Sequence, residues 1–252
     1  MKLSANTIHL YFSYPERISD PELLQHYRTL LTGDELSQMS RFYYARHRHQ
    51  YLVTRVLIRT SLSQYHPVDP CQWEFGTNGF GKPEIQHPDL ESPVRFNLSH
   101  SKGMILCGIA RDFDIGVDVE DRQRSTRAAL NRLSSYFSAE EIAELNALPP
   151  EHQKQRFFDY WTLKESYIKA RGMGLAIPLR KFSFQFHENK LSGFSTHPEL
   201  QDDAANWQFW RITMAQRYQM AVAINTARDN IAINAFNSVP LASKEPASLT
   251  FL

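Results

Sequence analysis

The segment Ile115-Gly116-Val117-Asp118-Val119-Glu120 is followed about 40 residues later by Trp161-Thr162-Leu163-Lys164-Glu165-Ser166-Tyr167-Ile168-Lys169. Between them they set three carboxylates and two lysines where a packed core ordinarily wants apolar side chains. Residues 115–120 read as a short strand, and positions two apart on a strand point the same way, so Asp118 and Glu120 share a face. Residues 154–171 read as a helix. At about 100° per residue, Glu165 and Lys169 fall within the arc of Phe158, Trp161 and Thr162. That arc should face the protein, and charges there need a partner or a metal ion, because an unpaired buried charge is very costly.

Each signal taken singly has an ordinary reading beside the chemical one. Asp118 and Glu120 suit a hard cation such as Mg²⁺, which takes oxygen ligands and bridges carboxylates to substrate phosphates; they also suit a strand that ends in two solvated acids. Glu165 and Lys169 are spaced as a helix-surface i,i+4 pair, although such pairs belong on the polar face. Lys164 lies roughly 100° away and fits either face. Phe96-Asn97-Leu98-Ser99-His100-Ser101 ends a strand in hydroxyls and an imidazole, which can hold a phosphate or simply make a turn. Gly81-Lys82-Pro83 is too short for a Walker loop. Arg122, Arg124, Arg127 and Arg132 form a basic run that is either a solvated face or a dock for an acidic partner.

The elements that must position these residues follow from pattern. A strand is expected over 7–12, helices from Pro21 to about Leu31, from Gly33 through Phe42 and over 46–65, and a strand near 73–75. Gly76-Thr77-Asn78-Gly79-Phe80-Gly81-Lys82-Pro83 is a loop of residues that permit unusual backbone angles. Strands near 94–98, 104–110 and 115–120, separated by short polar turns, predict an antiparallel meander. Ser138 with Glu141 is a capping box opening a helix to about Leu148. Pro149-Pro150 breaks it, and the next helix stops at Gly172. Strands are expected near 181–187, 207–214 and 218–224. The tail from 226 is polar, without clear periodicity. The fold class is therefore α+β: two similar halves, 1–112 and 113–225, each an antiparallel sheet packed with helices, with the active site between them and 226–252 as a tail.

With 252 residues there is enough chain for a real core. A net charge of +1 gives no global field for nucleic acid. No stretch reaches membrane-span length, and the first fourteen residues lack a secretory pattern. Cys71 and Cys107 have no metal or redox spacing and read as reduced, half-buried thiols in a cytoplasmic protein.

In this order, Gly-Lys-Pro, Phe-Asn-Leu-Ser-His-Ser, Ile-Gly-Val-Asp-Val-Glu and Trp-Thr-Leu-Lys-Glu-Ser-Tyr-Ile-Lys closely resemble the Sfp-type 4′-phosphopantetheinyl transferases, over about residues 40–225. The resemblance implies transfer of the phosphopantetheine arm of coenzyme A to a serine of an acyl or peptidyl carrier protein, with Mg²⁺ and release of adenosine 3′,5′-bisphosphate. It implies Asp118, Glu120 and Glu165 as metal ligands, with Mn²⁺ acceptable to the same oxygens. Lys169 would meet the pyrophosphate, Lys82 and His100 the nucleotide phosphates, and Ser99 and Gly81 would line the pocket. Catalysis would rest on Glu165 and Lys169, with Glu165 the candidate proton acceptor.

The acidic carrier would dock on the Arg122 to Arg132 stretch, and two fused halves permit a monomer. One departure stands out. The family commonly carries a basic nucleotide contact a few positions before Arg41-Phe42-Tyr43, where this chain has Glu35 and Gln38. Arg46, Arg48 or Arg55 could substitute. Two other classes compete: a non-catalytic module that holds coenzyme A or a carrier, and a two-metal phosphoester hydrolase, which the scattered histidines do not support. The carrier itself is not legible.

Overall fold

A computed structural model describes residues 3–90, 92–126 and 136–252. The chain divides into two compact units, one of residues 1–77, 83–112 and 229–248, the other of 78–82, 113–228 and 249–252. Mixed helices and mainly antiparallel sheets make the fold α+β, as the element order predicts.

The first unit is built on a five-stranded sheet. Its strands are β1 (Thr7–Ser13), β4 (Val94–Ser101), β5 (Met104–Arg111), β11 (Ala232–Val239) and β12 (Ser243–Pro246), in the spatial order β12-β11-β1-β5-β4. All neighbours are antiparallel except β1 and β11, which run parallel with Ile8 opposite Ile233 and Leu10 opposite Ala235. Three helices belong to this unit: α1 (Pro21–Thr29), α2 (Gly33–Ser40) and α3 (Ala45–Leu62). Asp20 caps α1, and a Thr32–Glu35 capping box opens α2. Helix α3 packs on β1 and β5, where Val53, Val56 and Leu57 join Tyr11, Ile105, Cys107 and Ile109 in a closed core. A small hairpin, β2 (Glu74–Thr77) with β3 (Pro83–His87), leads into and out of the glycine-rich loop.

The second unit has β6 (Ile115–Asp121), β9 (Trp207–Met214), β10 (Tyr218–Asn225) and β13 (Thr250–Phe251) in the order β13-β9-β10-β6. Helix α4 (Ala139–Ala147) opens on the Ser138–Glu141 capping box read from the sequence, and α5 (Pro150–Arg171) starts with proline and ends at Gly172 in the left-handed conformation, φ 68°. Helix α5 lies across β6 and β10. The hairpin of β7 (Phe182–His187) and β8 (Lys190–Thr196) adds Phe182, Phe184 and Phe194, which interlock with Tyr167 and Phe209.

Three expectations change. The meander of strands 94–98, 104–110 and 115–120 stops after its first hairpin: β5 gives its free edge to β1, and β6 pairs with β10 in the other sheet. Hairpin-length turns specify that strands are close in sequence, but the partner of an edge is chosen by packing. Residues 226–252, which lack a readable period, supply β11, β12 and β13; their burial is partial, so no single apolar face announces them. Neither cysteine is half-buried as expected: Cys107 is fully buried and Cys71 is exposed in the turn before β2.

Candidate functional site

Gly116 decides how close α5 comes to β6. A Cβ built on it would overlap the Ser166 carbonyl oxygen and the Ala170 amide nitrogen. With only hydrogen at that position, helix backbone rests on strand backbone. The opposing β10 residues on the same face are Ala223 and Ala221, paired with Gly116 and Asp118, so small side chains keep the contact tight on both strands. The approach holds α5 against the strand that carries Asp118 and Glu120.

Lys169 then reaches back to the strand. Its Nζ donates to Asp118 Oδ1 at 2.6 Å and to the Val117 carbonyl at 3.2 Å. Arg124, four residues beyond Glu120, donates from Nη2 to Oε1 at 2.8 Å with its Nε 2.8 Å from Oε2, and its guanidinium lies over the Phe158 ring. Burial pushes the Glu120 carboxyl above its ordinary range, and Asp118 adds to that. Burial does the same to Glu165 more strongly, with Asp118 and Glu120 adding and Lys169 opposing, so its carboxyl is pushed up to about 7. Trp161, Glu165 and Lys169 form the half-buried line of α5, while Phe158 and Thr162 are closed off. The expected arc is thus split into a closed side and a half-buried edge that carries both charges.

Asp118, Glu120 and Glu165 make an all-oxygen donor set of the kind a hard divalent cation takes. In the conformation described, Lys169 and Arg124 hold two of them, and among the described residues no three His, Cys, Asp or Glu side chains converge closely enough to grip an ion. The chemistry of the set fits a cation; its side chains are arranged around internal counter-ions.

Lys164, the other lysine of the motif, points into the core. Its Nζ is 2.8 Å from Glu141 Oε2 and donates to the carbonyls of Leu179 at 2.8 Å and Phe182 at 2.7 Å. Glu141 also accepts from the Phe184 amide at 3.0 Å. This buried, satisfied pair ties α4, α5 and β7 together. Its sequence signal was the capping box itself, since Glu141 serves both roles.

The loop around Gly81-Lys82 closes on the end of α5. Lys82 Nζ donates to the Ala170 carbonyl at 2.9 Å and lies 3.5 Å from Asp114, and Asn78 Nδ2 donates to the Gly172 carbonyl at 2.8 Å. A cation at a helix C-terminus is favourably placed. Gly81, at φ 90°, makes the turn that brings Lys82 there.

Ser99 and His100 belong to the first unit. Ser99 is buried in β4, and exposed His100 lines a cavity of about 550 Å³ with Phe42, His47, Tyr51, Arg55 and Lys102. Among the arginines weighed as nucleotide contacts, Arg48 donates to the Phe42 and Tyr43 carbonyls and Arg46 lies over Tyr44. Arg55 lines the cavity, but its guanidinium is paired with Glu35. Glu35 is also 2.5 Å from Arg59 and completes the α2 capping box, which gives the acid at that position a structural reason. Sequence reading missed His47 and Lys102; Lys102 directly follows Ser99-His100-Ser101. Of the docking arginines, Arg122 donates to the Gln216 carbonyl at 3.4 Å, while Arg127 and Arg132 lie outside the described residues.

Residues 114–223 match the model of the 4′-phosphopantetheinyl transferase superfamily, and residues 19–110 match that of the 4′-phosphopantetheinyl transferase N-terminal region. The 4′-phosphopantetheinyl transferase HetI of Nostoc sp. (strain PCC 7120) is 32% identical over 225 residues, 89% of this chain and 90% of that protein. The 4′-phosphopantetheinyl transferase Sfp of Bacillus subtilis (strain 168) is 31% identical over 180 residues, 71% of this chain and 77% of that protein. Among solved structures, Thermotoga maritima holo-[acyl-carrier-protein] synthase aligns with a TM-score of 0.36 at 14% identity, over 55% of this chain and 84% of that one.

Proposed function

The chain belongs to the 4′-phosphopantetheinyl transferase superfamily, and from that premise we propose that it moves the phosphopantetheine arm of coenzyme A onto a serine of an acyl or peptidyl carrier protein, using Asp118, Glu120, Glu165 and Lys169. The observation that carries the assignment of residues is the Asp118–Lys169 contact of 2.6 Å beside a Glu165 carboxyl raised to about 7. It sets an ammonium and a proton acceptor on one edge of α5.

The reaction forms a bond between the serine Oγ and the phosphorus that carries the pantetheine, and breaks the pyrophosphate bond to release adenosine 3′,5′-bisphosphate. The serine proton goes to Glu165, whose proton affinity near neutrality matches that task. Lys169 neutralises charge gathering on the bridging and leaving oxygens. Asp118, Glu120 and Glu165 would hold Mg²⁺ or Mn²⁺, which supplies further charge neutralisation on the phosphate oxygens. The nucleotide would enter the cavity lined by His47, Arg55, His100 and Lys102, with Phe42 and Tyr51 as apolar walls. Lys82 would act through the end of α5, whose Ala170 carbonyl it holds. The acidic carrier would meet Arg122 and its neighbours by electrostatic steering. No helix among the described residues is long and apolar enough to cross a membrane, and a cytoplasmic monomer suits these roles.

The test is the intact mass of an apo acyl carrier protein after incubation with this protein, coenzyme A and Mg²⁺. A gain of the phosphopantetheine mass, abolished by EDTA and by Asp118→Ala, is expected. No gain with several unrelated carriers, alongside measurable coenzyme A binding, would favour a non-catalytic coenzyme A or carrier module.

A further inference from the structure

Gln219 is fully buried on β10 and stands directly opposite Glu120 in the β6–β10 register. The positions on its face of β10 read Gln219, Ala221 and Ala223, opposite Glu120, Asp118 and Gly116. Two alanines let α5 approach; the third position is a large amide set beside a carboxylate. Side chains directly opposed across antiparallel strands have Cβ atoms about 4.5–5.5 Å apart, so a glutamine and a glutamate there lie side by side.

The orientation of that amide is fixed from behind. Asp159, fully buried, is held by Arg211, with Nη2 2.8 Å from Oδ2 and Nε donating to Oδ1 at 3.3 Å. An ionised carboxylate only accepts, so the Gln155 amide must turn its NH₂ toward it, and Gln155 Nε2 donates to Asp159 Oδ1 at 3.2 Å. The same Nε2 donates to Gln219 Oε1 at 3.0 Å. The Gln219 oxygen is committed in this way, and among the described residues Gln219 Nε2 and Gln155 Oε1 have no hydrogen-bond partner. A buried amide donor left unmade is costly, and the acceptor directly opposite it in the strand register is the Glu120 carboxylate.

We propose that Gln219 is a positioning residue for the transfer site: held by the Arg211–Asp159–Gln155 chain, its N–H donates to the Glu120 carboxylate when a divalent cation is bound and keeps that carboxylate in place. This rests on the reading of Asp118, Glu120 and Glu165 as cation ligands. A carboxylate has about four lone-pair sites, so Glu120 can accept from Gln219 and still offer an oxygen elsewhere. Partners that orient a ligand in this manner typically change metal affinity 10–100-fold when removed.

The experiment titrates Mn²⁺ into the full-length protein and follows free Mn²⁺ by electron paramagnetic resonance, with coenzyme A affinity and the melting curve recorded alongside. Gln219→Met should weaken Mn²⁺ binding at least about tenfold while coenzyme A affinity stays within twofold. Should that variant lack a cooperative melt, Gln155→Met decides: it leaves Gln219 in place but frees its amide to turn, and should weaken Mn²⁺ binding several-fold. Mn²⁺ affinity within twofold of wild type in whichever folded variant decides overturns the proposal. Wild-type protein that binds no Mn²⁺ overturns it as well, by removing the cation reading of the three carboxylates; the two failures are told apart by the wild-type titration.

Discussion

Gly116 and Ser166 are in backbone contact: the strand residue has no side chain, and the helix carbonyl occupies the place where one would be. Everything the site does depends on this approach, because it sets the register between Asp118 and Lys169.

Gly116→Ala should therefore be costly. Overpacking typically costs about 1–3 kcal/mol where neighbours can shift; here they are main-chain atoms of a helix, so about 3 kcal/mol or more is expected. For a chain of this size that lowers the melting temperature by roughly 6–12 °C, with loss of turnover. A melt unchanged from wild type would show that α5 does not rest on β6.

Glu165 gives a pH signature. In the unfolded chain its carboxyl titrates near 4.5, and in the folded, cation-free protein near about 7. The folded state holds the proton more tightly between those values, so stability from this group is present below 4.5 and is lost as pH rises through 7. Glu165→Gln, neutral throughout, should be more stable than wild type at pH 8 without divalent cations, by on the order of 2 kcal/mol. Chemical denaturation at pH 5 and pH 8 checks the sign. The same variant should lose nearly all turnover while still binding coenzyme A; turnover within tenfold of wild type would remove Glu165 as the proton acceptor.

The two lysines of one motif should separate cleanly. Lys164→Ala strands Glu141 in the core, a change of about 3–5 kcal/mol, visible in urea unfolding. Lys169→Ala breaks a partly exposed contact, so stability should fall by about 1 kcal/mol or less, but turnover should drop at least about a hundredfold. Equal effects on stability would contradict the burial difference between them.

Arg122 and Arg124 should differ as well. Arg122→Glu is expected to raise the KM for the carrier and leave that for coenzyme A unchanged. Arg124→Gln should raise the carrier KM and also tighten Mn²⁺ binding, because it releases Glu120 from an internal counter-ion. Identical behaviour of the two variants would mean that the Arg124–Glu120 pair has no bearing on the cation.

Much of this was legible before the structure. Helices α4 and α5 announced themselves through a capping box, a double proline and a stop glycine, all of which act within a few residues. The strand at 115–120 and the shared face of Asp118 and Glu120 follow from local alternation. What the sequence concealed is non-local. Pairing of β6 with β10 joins residues about a hundred positions apart, and nothing in the spacing of Gln219 links it to Glu120. The inward turn of Lys164 was equally hidden, since a charge among apolar residues reads as a site and here reports a satisfied core pair. Lys82 shows the same limit: its glycine-rich setting is plain in the sequence, but the carbonyl of Ala170 that it holds is not.

The parallel pairing of β1 with β11 has a consequence for biogenesis. Strand β1 cannot complete its sheet until Ala232–Val239 has been synthesised, so it offers an open edge until then. Open edges of this kind invite pairing with other chains, and contacts between sequence-distant strands form late. Truncation within residues 232–239 should accordingly do more than shorten the protein: it should leave a sheet whose interior strand has become a sticky border, and the product should aggregate as it is made.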